Sequence, residues 1–235
     1  NLQAGEDPHV IDEVIIPVVQ YIRAHTKVGV SLSLGTLSES QYEALQEAGA
    51  FYYIIKLETG DSDHYRKLRA PGTYDERLGA IQLLAKKGWK VSSGMIMGLP
   101  GQSVDMIAQT IRILARLPLA GVSVSPFIPG EETPLALEKP AEMEMTLNAL
   151  AILRLVSPER IIPAVSAMNL LGKGSYINAL RAGANLVTVN LTPAKERNNY
   201  LLYKRGRHIM EQEHIRRALD EAKLEASRVS TVSYT

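Results

Sequence analysis

Apolar residues recur along the chain in two alternating rhythms. Short β-rich runs at Asn1–Gly5, Val28–Leu34, Phe51–Leu57, Lys90–Met97, Gly121–Pro126, Arg160–Val165 and Asn185–Asn190 read as strands. Between them, apolar positions repeat at helical spacing over His9–His25, Ser38–Ala48, Tyr74–Lys87, Ser103–Leu117, Glu142–Val156 and Ser175–Arg181. Gly49, Gly88 and Gly183 stand just past three of these helices, where a left-handed cap is needed before the next strand. This alternation predicts a parallel α/β fold, either a doubly wound sheet or a (β/α)8 TIM barrel. Seven strands fall one short of eight, so a barrel would have its first βα unit missing from these residues, with strands two to eight present. Residues 1–197 are expected to form that core. Residues 198–235 read as a C-terminal extension packed on the barrel, with a charged helix around Glu211–Lys223 and a β-like end at Val229–Tyr234.

Composition narrows the function classes. The 235 residues are 46% hydrophobic, and 26 basic side chains balance 25 acidic ones to a net charge of +1. That balance argues against a disordered tail and against the basic footprint of a nucleic-acid binder. No apolar run reaches the roughly 18 residues of a membrane span, and a cytoplasmic protein is expected. There is no cysteine, so no disulfide and no thiolate metal site can be built from these residues.

Polar residues at the carboxyl ends of the strands are the ones to weigh, because such folds place their sites there. Glu6 and Asp7 follow the first strand directly; an acidic pair before Pro8 also reads as a helix N-terminal cap. Lys56 and Glu58 fall on one strand face by alternation, where two inward charges are costly unless paired or used. Arg77, near a helix start, reads by itself as a solvated surface arginine. The run Gly94–Gly101 is a strand entering a Gly-rich loop that permits close backbone approach to a flat ligand. Ser166 and the later Tyr200 and Tyr203 fit core or lid packing as well as substrate contact.

In order, the runs Leu2-Gln3-Ala4-Gly5-Glu6-Asp7, Ser31–Gly35, Glu58-Thr59, Tyr74–Leu78, Gly98–Gln102, Pro126–Pro129 and Ile162–Ala164 resemble the radical S-adenosylmethionine (SAM) enzymes of the biotin-synthase group. Within it they are most similar to the FeFe-hydrogenase maturation proteins and to the 3-methylornithine synthases. The resemblance implies a barrel that binds SAM and a [4Fe–4S] cluster, the latter on a CxxxCxxC loop expected upstream of Asn1, and a reductant such as flavodoxin or ferredoxin. It places Gln3, Gly5, Glu6, Ser33, Glu58, Arg77, Gly94, Gly98 and Leu99 around SAM. Glu58 would bind the ribose hydroxyls and Arg77 the methionyl carboxylate. Ser31, Lys56, Ser166, Tyr200 and Tyr203 would surround a small carboxylate or amino-acid-like substrate. Ala4 replaces a glycine and Lys56 an arginine of the family pattern. Two other readings stay open: a Schiff-base aldolase with Lys56 as nucleophile, and a cluster-free barrel that binds a nucleoside or a partner protein.

Overall fold

The computed structural model describes residues 1–7, 9–193, 195–196 and 210–227. Five parallel strands form its sheet: β1 (Leu2–Gln3), β2 (Val30–Ser33), β3 (Ala50–Ile54), β4 (Lys90–Met97) and β5 (Gly121–Pro126). Their spatial order is their chain order, without the reversal that a doubly wound sheet requires, so the winding is that of a barrel. Isolated parallel bridges from Gly121 to Ile161 and from Pro163 to Leu186 carry the series on in the same direction. The sixth and seventh expected strands are thus present only as bridges. Proline lacks the N–H that a ladder needs, and Pro163 interrupts the first of them.

The helices between the strands begin and end on local signals. Ser38 closes a capping box with Gln41 ahead of α2 (Glu39–Glu47), and Thr73 does the same with Glu76 ahead of α4 (Tyr74–Lys86). Ser103 caps α5 (Val104–Arg116) by accepting from the Met106 amide. Gly49, Gly88 and Gly183 have φ of 104°, 84° and 121°, the left-handed stops that the sequence suggests. The first helix opens as a π-turn over Ile11–Ile15 and continues as α1 (Ile16–His25). A short helix, α3 (Ser62–Lys67), has no counterpart in the sequence reading; at six residues it is too short to show a period. After α6 (Met143–Val156) come a 3-10 turn at Ser166–Leu170, α7 (Ser175–Arg181) and α8 (Gln212–Ala222). Arg181 ties α7 to α8 through the Glu221 carbonyl at 2.6 Å. No described helix is long and apolar enough to cross a membrane. The β-like end at Val229–Tyr234 lies outside the described residues.

One continuous core lies between sheet and helices. Val30, Leu32, Leu34, Tyr53, Ile55, Leu57, Val91, Met95, Val122 and Val124 are all at most 3% exposed and belong to it. The opposite face of the strands is rich in serine and glycine.

Candidate functional site

Strand register decides which side chains share that opposite face. Gln3 pairs with Ser33, Ser31 with Tyr52, Ile54 with Ser92, Ser92 with Gly121, Gly94 with Ser123 and Ile96 with Ser125. Paired residues point to the same side of a sheet, so these form one inner surface. Gln3, Ser31, Ser33 and Gly94, four of the residues expected at the site, therefore line it together. The surface consists largely of serine and glycine, where barrel interiors are ordinarily filled by branched aliphatic side chains.

Lys56 reaches into this surface and donates to Ser125 Oγ at 3.1 Å. Its ammonium also lies 3.3 Å from Glu58 Oε2. The alternation argument that joined Lys56 to Glu58 has to be corrected, because β3 ends at Ile54 and Glu58 has a φ of 66°. A left-handed glutamate costs about 1–2 kcal/mol. Sheet-like bonds on both sides hold it there, from the Glu58 amide to the Gly94 carbonyl and from the Ile96 amide to the Glu58 carbonyl, each 3.0 Å. The pair is thus set by a strained, pinned turn and not by a shared strand face. Glu58 Oε2 is buried and accepts no hydrogen bond among the described residues, since the contact with Lys56 is an ion pair by distance without hydrogen-bond geometry.

The second charged pair joins segments that are far apart in sequence. Arg77, in the first turns of α4, is 6% exposed, which overturns its reading as a surface residue. It donates to Glu6 Oε1 at 2.9 Å, to the Tyr65 hydroxyl at 3.3 Å and to the Pro71 carbonyl at 3.3 Å. Burial works against its charge, but the hydrogen bonds with Glu6 and Tyr65 outweigh it and hold the guanidinium pKa above its ordinary value. Glu6 lies across Gly35, whose backbone has a φ of 77° and where any β-carbon would collide with the Glu6 side chain. The Glu6 side chain remains 35% exposed.

The loop after β4 is fastened from two sides. Gln102 accepts from the Gly98 amide at 2.8 Å and donates to the Ile96 carbonyl at 2.9 Å. His64 is 3% exposed; its Nε2 lies 2.9 Å from the Pro100 carbonyl, which only accepts, so Nε2 carries the proton. The other ring nitrogen lies 3.4 Å from the hydroxyl of Thr59, next to Glu58. Gly98 packs against Ala141, and Leu99 joins a small cluster with Phe127 and Ala141. The Gly98–Gly101 loop is thereby locked to the Glu58 turn. A cleft of about 500 Å³ opens beside it between α5 and α6; Met97, Val104, Ile107 and Met145 line it, which puts it on the helix side of the sheet.

Of the residues expected at the substrate, Ser31 donates to Asn1 Oδ1 at 3.2 Å and Lys56 is placed as above. Ser166 opens the 3-10 turn that follows the Pro163 bridge, and no described bond joins it to Lys56. Tyr200 and Tyr203 lie outside the described residues. The sequence reading missed Ser125, the hydroxyl partner of Lys56, together with Tyr52, Ser92, Ser123, His64 and Tyr65. A signal for the serines existed: Val122-Ser123-Val124-Ser125 alternates with period two, valines to the core and serines inward.

This geometry offers two oppositely charged pairs and a hydroxyl-lined interior at the carboxyl ends of parallel strands. Residues 2–114 match the model of the radical SAM superfamily. The chain is 37% identical to the [FeFe] hydrogenase maturase subunit HydE of Thermotoga maritima, over 86% of this chain and 58% of that protein. It is 28% identical to the 3-methylornithine synthase of Methanosarcina barkeri, over 87% of this chain and 58% of the relative. The crystal structure of methylornithine synthase (PylB) superposes with a TM-score of 0.80 at 26% identity, covering 97% of this chain and 68% of that one. The chain thus spans under two thirds of the length of these curated relatives.

Proposed function

This chain carries a radical SAM domain of the biotin-synthase group, and on that premise we propose that it is the SAM- and substrate-binding part of an enzyme that cleaves SAM reductively and acts on a small carboxylate or amino-acid-like molecule. The observation that carries the reading is the Arg77–Glu6 pair. A buried guanidinium and a partly exposed carboxylate 2.9 Å apart are complementary to an amino-acid zwitterion. The methionyl end of SAM can enter between them, its carboxylate on Arg77 and its ammonium on Glu6, so that one ion pair is exchanged for two. Glu58, with a buried oxygen that accepts no hydrogen bond among the described residues, suits a pair of ribose hydroxyls. The locked Gly98–Gly101 loop offers backbone groups to the adenine.

When bound, the [4Fe–4S] cluster that the family implies would supply the electron for reductive cleavage of SAM. These 235 residues contain no cysteine and do not fit that group, so its ligands are assigned to a CxxxCxxC motif outside them. What the chain itself does is orient SAM, keep the interior polar, and present Lys56 and Ser125 to a substrate anion. When ribose hydroxyls engage Glu58, the ammonium of Lys56 retains only the neutral Ser125, and a substrate carboxylate restores its counter-charge.

The likeness to HydE favours a maturase-type reaction. The superposition with methylornithine synthase supports a mutase as the second reading. A Schiff-base aldolase is disfavoured by the ion pair, because an ammonium held by Glu58 is not a free amine nucleophile. The test uses the full-length, cluster-loaded protein with a reductant. It should form 5′-deoxyadenosine, and Lys56→Met should abolish any stimulation by added amino acids while basal SAM binding persists. Stimulation that survives in Lys56→Met would remove Lys56 from the substrate site.

A further inference from the structure

The inner surface changes character with depth. Toward the carboxyl ends of the strands Ser33, Ile54, Lys56, Ile96 and Ser125 are only partly buried. Further down, Tyr52 and Ser92 are 7% and 8% exposed, and Gly121 beside them is buried. The residue at position 121 explains how the interior is closed. A β-carbon on Gly121 would stand 2.7 Å from the Tyr52 hydroxyl and 2.9 Å from Ser92 Oγ. The Tyr52 phenol therefore extends from β3 past β4 to β5, and glycine is what leaves space for its hydroxyl. One register step above Ser92 and Gly121, Gly94 brings no side chain beside Ser123, and Ile54, Lys56 and Ser125 are only partly buried, so the upper part of the inner face is open to solvent.

We propose that Tyr52 is the floor of the substrate chamber and sets the length of the molecule accepted, a short α-amino acid or related carboxylate with a polar far end that meets the Tyr52 and Ser92 hydroxyls. The proposal rests on the Lys56 carboxylate anchor of the preceding section. Lys56 and Tyr52 are four residues apart, at most about 13 Å of extended chain. With both side chains reaching inward, about one layer of roughly 7 Å remains, which holds a chain of about five bonds. Tyr52 acts by limiting depth, as a specificity-determining residue, and takes no part in the chemistry at SAM.

The experiment is isothermal calorimetry on the full-length, SAM-saturated protein with linear probes: 2-aminobutyrate, norvaline, norleucine and 2-aminoheptanoate, together with homoserine. Wild-type affinity should drop sharply by 2-aminoheptanoate. Tyr52→Ala should bind that longest probe about tenfold tighter than wild type, the gain of burying one to two further methylenes. Gly121→Ala, which displaces the Tyr52 hydroxyl, should move the cut-off to a shorter chain. Tyr52→Phe, which keeps the ring and the fold, should keep the cut-off and lose the preference for homoserine over norvaline. A cut-off that is the same in wild type, Tyr52→Ala and Gly121→Ala overturns the floor. If the cut-off moves with Tyr52 while Lys56→Met binds every probe as wild type does, the floor stands and the Lys56 anchor falls. Absence of binding by any probe to the wild type overturns both.

Discussion

Arg77 and Arg160 are drawn into the protein at opposite ends of the strands, and their partners differ in kind. At the amino end, Arg160 donates to the carbonyls of Leu114, Ala115 and Leu117 at 2.6, 3.0 and 2.7 Å. Leu114 and Ala115 belong to the last turn of α5, where carbonyls have no intrahelical donor, and Leu117 is its C-cap, which also accepts from the Leu119 amide. At the carboxyl end, Arg77 also binds a carbonyl and a hydroxyl, but its charged partner is a side chain that is 35% exposed and can turn away. The electrostatic signatures follow. Desolvation lowers the pKa of Arg160, which has only neutral partners. For Arg77 burial pulls the same way, but the hydrogen bonds of Glu6 and Tyr65 reverse the sign. A desolvated cation does not mark a site by itself; what sets Arg77 apart as the proposed SAM anchor is a counter-charge that can be exchanged.

The sharpest way to break this comparison is Arg160→Ala. It leaves the Leu114 and Ala115 carbonyls without their donor, while Leu117 keeps the Leu119 amide, and the expected loss is about 2 kcal/mol of stability, read from urea denaturation. The surviving folded fraction should bind SAM as wild type does. A loss of SAM affinity in folded Arg160→Ala would mean that the two ends are not functionally separate.

Arg77→Ala should show the converse pattern. SAM affinity should fall about ten- to a hundredfold, the worth of one charge-assisted pair. The stability cost should be smaller than for Arg160→Ala, because the Glu6 left behind is partly exposed and regains water. Unchanged affinity by calorimetry would take Arg77 out of the SAM site and leave the Glu6 pair as a structural clamp between β1 and α4.

Much of the fold is legible in the residues, because its signals are local. Periodicity, the serine and threonine caps and the glycine stops lie within a few positions of the elements they define. The site is legible only in outline. Arg77 looks like a surface residue because its partner Glu6 is 71 positions away, a distance that no periodicity bridges. Glu58 gives no sign of its left-handed backbone, since the bonds that pin it come from Gly94 and Ile96 on the neighbouring strand. Ser125 becomes meaningful only when register brings β5 beside β4 and Lys56 reaches across to it.

The smallest effect concerns an atom that resembles Glu58 in one respect. Tyr176 Oη is also buried without a hydrogen-bond partner among the described residues, but it belongs to α7 and stands beneath α8, away from the inner face of the strands. If an unpartnered buried atom were enough to mark a site, Tyr176 would be one; if place on the strand ends is also required, removing its hydroxyl should do no functional harm. Tyr176→Phe should bind SAM normally and be as stable as wild type or up to about 1 kcal/mol more stable at neutral pH, since an unpaired buried hydroxyl carries only its desolvation cost. Alkaline pH gives the comparison a sign. Burial pushes the Tyr176 phenol up to about 12 from the ordinary 10.0, so the native state keeps its proton where the unfolded chain has lost it. The contribution of this group is complete below pH 10 and is lost as pH rises through the native value near 12. The stability of wild type should therefore fall relative to Tyr176→Phe in urea titrations run from pH 9 to about 11.5, with the difference opening above pH 10. Parallel curves would show that Tyr176 ionises as freely in the fold as out of it, and that its hydroxyl reaches water the structure does not provide.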